Sequence, residues 1–310
     1  MPLTTPNKPA RKAGRHFPLV LLVLAVVVAV MVPVVLRDKS IPLVETVSLS
    51  EQVLAKARPL VQKQQYAVAI DLMEAYVASA PEDVEVRPLL AEAQMNDGRF
   101  DQAERTTDQL LLRAPLMARA LWLKGLLAAR RGADPWPFHS KAAGSPDATG
   151  EIWAAYGLEL LGTGRTAEAN EFLRRARSAG IEDARTLAPL GQIELTEGRP
   201  DAAERLLTQA LATSGQNPRV WAMLAEAQAQ SGKLPEALAT LEKAIAQFPN
   251  QPNFQVRAAE IACQTGRFDL AQTLVDKAAS VLGDSPEIHE LRGTIQQAGS
   301  QTQPSSRASQ

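Results

Sequence analysis

Few residues of this chain have the types and spacing that chemistry needs. The three histidines, His16, His139 and His289, stand far apart, and none forms an H-x-x-x-H pair or joins a cysteine at zinc-ligand spacing. Cys263 is the single cysteine, so it has no intramolecular disulfide partner and reads as a small packed residue near the end of a helix. Gly162-Thr163-Gly164-Arg165 has the look of a phosphate loop but lacks the G-x-x-x-x-G-K-[ST] context. The carboxylate pairs Glu168 with Glu171 and Glu194 with Glu197 lie three residues apart, the spacing of neighbours on one solvated helix face. No enzyme activity is expected, nor any metal, cofactor or small-molecule substrate.

The glycines follow a different rule. Small residues recur at Ala57, Ala91, Gly125, Gly157, Gly191, Ala225, Ala259 and Gly293, at intervals of thirty-four broken once by thirty-two. Seven positions behind runs Gly98, Gly132, Gly164, Gly198, Gly232 and Gly266, with Gln64 as the exception. Five further on runs Ala69, Ala103, Ala169, Ala203, Ala237 and Ala271, spoiled only by Pro137. The first small residue lets a second helix cross closely. The glycine ends the first helix in a left-handed C-cap. The later alanine lets the second helix nest on the first, so the unit is helix, glycine turn, helix.

The best copies open Trp153-Ala154-Ala155-Tyr156-Gly157 and Trp221-Ala222-Met223-Leu224-Ala225, and continue through Ala169, Leu173 and Ala176 or Ala237, Leu241 and Ala244. Prolines close units at Pro81, Pro115 and Pro249. A thirty-four-residue pair with this pattern resembles the tetratricopeptide repeat. The resemblance covers about residues 50–298 and implies an all-α, right-handed α-solenoid of about seven helix pairs plus a C-terminal capping helix. Units are expected near 50–83, 84–117, 118–149, 150–183, 184–217, 218–251 and 252–285, with a cap at 286–298 and a disordered tail at 299–310. Two departures stand out. Pro59 falls inside the first helix, as in an atypical terminal unit. The third unit lacks two residues and carries Ala133-Asp134-Pro135-Trp136-Pro137-Phe138-His139 at the start of its second helix. A weak joint with early opening is expected at 133–149, and Trp136 is expected to plug the gap.

The resemblance also implies a binding surface, because first helices of this family line a concave groove that takes an extended peptide or a partner helix. Its inner positions are Arg119 and Trp122, Glu151 and Leu158, Arg185 and Gln192, Arg219 and Glu226, and Asn253 and Glu260. Arg119, Trp122, Arg185, Gln192, Arg219, Glu226 and Glu260 are the candidate contacts. Trp122 and Arg185 lead, since aromatic and arginine side chains dominate interface energetics. The lysine, asparagine and arginine set with which one subgroup grips a C-terminal carboxylate is missing. Trp153 and Trp221 belong to the core.

Ahead of the repeats, Phe17 to Leu36 carries no charged or strongly polar residue over twenty positions, enough to cross about 30 Å of hydrocarbon as a helix. Its apolar run outlasts a cleavable signal, so an uncleaved transmembrane anchor is expected. Lys8, Arg11, Lys12 and Arg15 precede it, against Arg37 and Lys39 behind it with Asp38 between, which favours a cytoplasmic N-terminus (1–16). A linker at 37–49 would then lead to repeats in a bacterial periplasm. The first forty residues hold six basic and one acidic side chain, so the remainder carries minus six of the net minus one. An acidic solenoid is a poor match for nucleic acid. The expected role is a membrane-anchored scaffold or adaptor that binds other proteins in the cell envelope. The alternatives are a chaperone-like holder of secreted clients and a non-catalytic regulatory subunit of an envelope enzyme.

Overall fold

A computed structural model describes residues 47–214, 216–283 and 285–302. The expected N-terminus, transmembrane segment 17–36, most of the linker and tail residues 303–310 lie outside the described residues. Among those described, no helix is long and apolar enough to cross a membrane. They form fifteen helices and no strand. Six pairs are α1 (Leu49–Gln62) with α2 (Tyr66–Ser79), α3 (Arg87–Asn96) with α4 (Phe100–Arg113), α5 (Ala118–Arg130) with α6 (Trp136–Ala143), α7 (Gly150–Gly162) with α8 (Thr166–Ser178), α9 (Ala184–Thr196) with α10 (Pro200–Thr213), and α11 (Pro218–Gln230) with α12 (Leu234–Gln247). A seventh pairs α13 (Pro252–Gln264) with α14 (Phe268–Leu282), and α15 (Pro286–Thr302) follows, running past the expected end of the cap.

The chain divides into two compact units, the first ending at Gln52. Its described part opens on a capping box: Glu51 N–H donates to Ser48 Oγ at 3.1 Å, and Ser48 N–H donates to Glu51 Oε2 at 3.0 Å. The second unit begins at Val53 and holds the repeated pairs.

One turn closes every pair. The residue after the glycine donates its N–H five positions back, as in Arg99 to Gln94 O at 2.8 Å, Arg165 to Leu160 O at 2.9 Å and Lys233 to Gln228 O at 2.8 Å. This is the Schellman closure, and it requires a left-handed residue at the glycine, where φ runs from +71° to +80°. Gln64 adopts φ +59° without being glycine, and Gln65 N–H still reaches Leu60 O at 2.9 Å. The turn is imposed by the packing of the pair, and Gln64 pays about 1–2 kcal/mol to comply.

The first series marks where second helices cross. A Cβ on Gly157 would lie 2.8 Å from Leu173 Cγ, and one on Gly191 would lie 2.7 Å from Leu207 Cγ. The residue across the crossing is His139, Leu173 or Leu207 in the third, fourth and fifth pairs, and the matching positions elsewhere are Met73, Thr107, Leu241 and Val275, all fully or almost fully buried. His139 enters this row because two residues are missing from the third unit. Its second helix, α6, spans 8 residues, against 13 to 15 for the others. Trp136 plugs the shortened corner: it lies 5.2 Å from the Tyr156 ring, and the Arg165 guanidinium covers it at 4.8 Å. Asp147, in the loop after α6, reaches back to cap α5, accepting from Ala118 N–H at 3.1 Å.

Apolar clusters run through α1–α3, α5–α8, α8–α11 and α11–α15. Between the first two, α4 meets α5 through charge: Lys124 Nζ lies 3.0 Å from Glu104 Oε1 and 2.6 Å from Asp108 Oδ1. Trp153 and Trp221 pack against the core while remaining partly buried, and so does Cys263. Pro59 does not break α1, and α9 likewise continues through Pro189.

Candidate binding groove

Three cavities lie along consecutive first helices. The first, about 240 Å³, is bounded by α5, α7 and α9 and lined by Arg119, Trp122, Glu151, Leu158, Ile181 and Arg185 among others. The next, about 440 Å³, shares Leu158 and adds Leu161, Pro189, Gln192, Ile193 and Arg219. The last, about 310 Å³, shares Arg219 and adds Ala222, Gln251, Asn253, Phe254 and Arg257. Each cavity shares a lining residue with the next, so the three adjoin in a row from α5 to α13. Each is lined by apolar and polar side chains together.

Most sequence-derived candidates fall on this row, with different freedoms. Arg119 forms an ion pair with Glu92 of α3. Trp122 lines the first cavity but has one face stacked on the His139 imidazole, ring centroids 3.9 Å apart and planes 18° from parallel. It is therefore half a packing residue. The Arg185 side chain is 83% exposed and donates to Asp183 Oδ2 at 3.1 Å, two residues back, its one partner among the described residues. Asp183 also caps α9 through Thr186 N–H at 2.9 Å. Its carboxyl sits below the usual range because these bonds outweigh its burial, the largest single effect. Glu151 is held ionised too, chiefly by the Thr149 hydroxyl and its own N–H, with a smaller pull from Arg119.

Gln192 and Arg219 are brought together directly: Arg219 Nη2 donates to Gln192 Oε1 at 2.9 Å. Glu226 and Glu260 are joined through Arg257, which pairs with Glu226 and lies 2.6 Å from Glu260 Oε2. Neither carboxylate lines the cavities. Arg257 was missed as an inner position, although it lies four residues beyond Asn253 and three before Glu260, on the same helix face. Ile181, Leu161, Pro189 and Phe254 were missed because their apolar character reads as core until the cavities are seen.

Glu194 departs from the sequence reading. It is not on a solvated face: it is 3% exposed and holds both Arg174 and Arg199. Its carboxyl is pulled below the usual range, first by the hydrogen bond from Arg199. Gln94 and Gln228 occupy the same register and are also buried, each accepting a threonine hydroxyl, Thr106 at 2.8 Å and Thr240 at 2.7 Å. That recurrence of polar residues was the available signal. Glu168 and Glu171 do lie on a solvated face, bonded to Arg165 at 2.7 Å and Arg175 at 2.6 Å.

A tetratricopeptide repeat family model matches residues 60–128, 160–227, 194–255 and 229–295, more than half of the chain. The chain belongs to the tetratricopeptide repeat family, whose members mediate protein–protein interaction. The internal gap between these matches, 129–159, contains α6 and the shortened corner. No curated protein sequence matches the chain. Among solved structures, it is similar to PilF of Pseudomonas aeruginosa, at 17% identity and TM-score 0.51, with 68% of this chain and 96% of that one covered. It is also similar to the C-terminal part of a repeat-containing protein from Cytophaga hutchinsonii, at 13% identity and TM-score 0.52, covering 76% and 98%. These likenesses concern the fold alone.

Proposed function

We propose that this chain is a non-catalytic adaptor that receives an extended segment of another protein in the row of cavities from α5 to α13. The observation that carries this reading is the row of three cavities that adjoin at Leu158 and Arg219, each lined by apolar and polar side chains together. A chain laid across three units gains many small contacts without any one deep pocket. Arg185 is the most exposed charged contact of the first cavity, and the neutral amide of Gln192 lines the second.

The proposal extends to location: the apolar run 17–36 anchors the protein in a bacterial inner membrane and the charge ahead of it sets the repeats in the periplasm, so the partner is an envelope protein. Crosslinking in intact cells followed by purification tests both parts. The native chain is expected to retain a defined envelope partner that the Arg185→Ala, Gln192→Ala double variant loses. Equal recovery by both chains would remove the groove from the reading, and a cytoplasmic partner would remove the compartment.

A further inference from the structure

The inner arginines differ in how their charge is met. Arg119 is paired with Glu92, Arg185 with Asp183, and Arg257 with both Glu226 and Glu260. Arg219 is exposed, and its guanidinium donates to the neutral amide of Gln192. Among the described residues no carboxylate forms an ion pair with it. A guanidinium presents five donors in a fork that fits a carboxylate in two parallel bonds, and an amide oxygen occupies only part of that fork.

Its position matters as much as its charge. Arg219 is the residue that the second and third cavities have in common. On one side lie Leu158, Leu161 and Ile193; on the other lie Ala222 and Phe254. A chain that fills both cavities passes its middle over Arg219, because its two apolar flanks are held on either side. The carboxylate that completes the fork then belongs to a side chain within the segment, whereas a terminal carboxylate would leave one cavity empty. The Gln192, Gln251 and Asn253 amides stand beside it to meet main-chain N–H and C=O groups.

Resting on the groove reading above, we infer that the partner segment is extended and carries an internal aspartate or glutamate on Arg219, flanked on both sides by apolar residues. The test uses the full chain and end-blocked nonapeptide libraries with leucine, isoleucine, valine and phenylalanine at flanking positions. One library has aspartate at the centre, a second asparagine, and a third ends at the aspartate with a free carboxyl terminus. The native chain is expected to favour the internal-aspartate library over the asparagine one by about tenfold, as one charge-assisted contact allows. Arg219→Gln should abolish that preference while still binding both, and Arg219→Lys should keep most of it. Equal retention of aspartate and asparagine libraries by the native chain overturns the inference and leaves the groove standing. Stronger retention of the free-terminus library overturns it in favour of a terminal carboxylate. Failure of the chain to retain any apolar-flanked library above a polar scrambled control removes the groove reading, and the inference with it.

Discussion

In the fourth and fifth helix pairs an aliphatic side chain, Leu173 or Leu207, lies over the small residue of its partner helix; in the third pair an imidazole takes that place. His139 is 1% exposed, bonds Glu159 through Nδ1 at 2.9 Å and stacks under Trp122, and its buried Nε2 has no hydrogen-bond partner among the described residues. The two regions share a backbone plan and differ in what fills it. Leucine adapts its rotamer and has nothing to satisfy. The imidazole fills the space as a rigid plate, and an unpaired buried nitrogen carries a desolvation penalty. The shortening of the unit thus replaced a forgiving contact with a demanding one, and it did so beneath Trp122, the aromatic residue that lines the groove.

The sharpest way to break this contrast is at the glycines. A Cβ on Gly125 would lie 2.2 Å from His139 Cδ2 and 2.3 Å from Nε2, against 2.8 Å to Leu173 for Gly157. Gly125→Ala is expected to cost about 2–3 kcal/mol, because the caged ring has nowhere to move. Gly157→Ala should cost less, since the leucine can shift and alanine favours the helix by about 1 kcal/mol. Urea unfolding of both variants measures the difference, and equal losses would show that the imidazole is no stiffer a neighbour than leucine.

A smaller effect is expected in the regular region. Glu194→Gln should cost about 1–2 kcal/mol, the lower end for a buried charge because both arginine partners keep half of their surface in water. Its folded pKa lies below the ordinary 4.5. The stabilisation is therefore complete above that ordinary value and is lost as pH falls through the lower folded one. The native chain should lose more stability than the glutamine variant between neutral pH and the acid end of this window. Parallel pH profiles would exclude Glu194 as a source of acid sensitivity.

The smallest change expected is a gain. His139→Leu restores the residue type of the fourth and fifth pairs and removes the orphaned nitrogen, while Glu159 can turn to water. About 1 kcal/mol of added stability is expected, with slower hydrogen exchange in α6. In the native chain, amides at 133–149 should exchange before those of α8 and α10, since α6 has barely two turns to bury. Uniform protection across all three helices would dispose of the weak joint.

The repeat was legible because its signals are local and redundant. A left-handed turn, a close crossing and a nesting alanine each restrict residue type, and together they repeat Gly98, Gly157 and Ala169 in phase. Even Gln64 obeys the turn that its neighbours announce. Of the candidate contacts, Arg119, Trp122, Arg185, Gln192 and Arg219 line the cavities, and Glu226 and Glu260 do not. What those side chains do there was not legible: Arg119 looks the same as Arg219 in the sequence, yet one meets Glu92 and the other meets an amide.

Residue type and period alone determined the helix pair and its turn, since these depend on neighbours within one unit. Partnership between units was decided only when the chain stacked. That stacking brought Arg174 onto Glu194 and left Arg219 with a neutral partner between two cavities, while packing inside the third unit put His139 in a leucine's place under Trp122. The physical reason is range: backbone propensities act over a few residues, whereas the neutralisation of a charge depends on side chains brought within a few ångströms from other units.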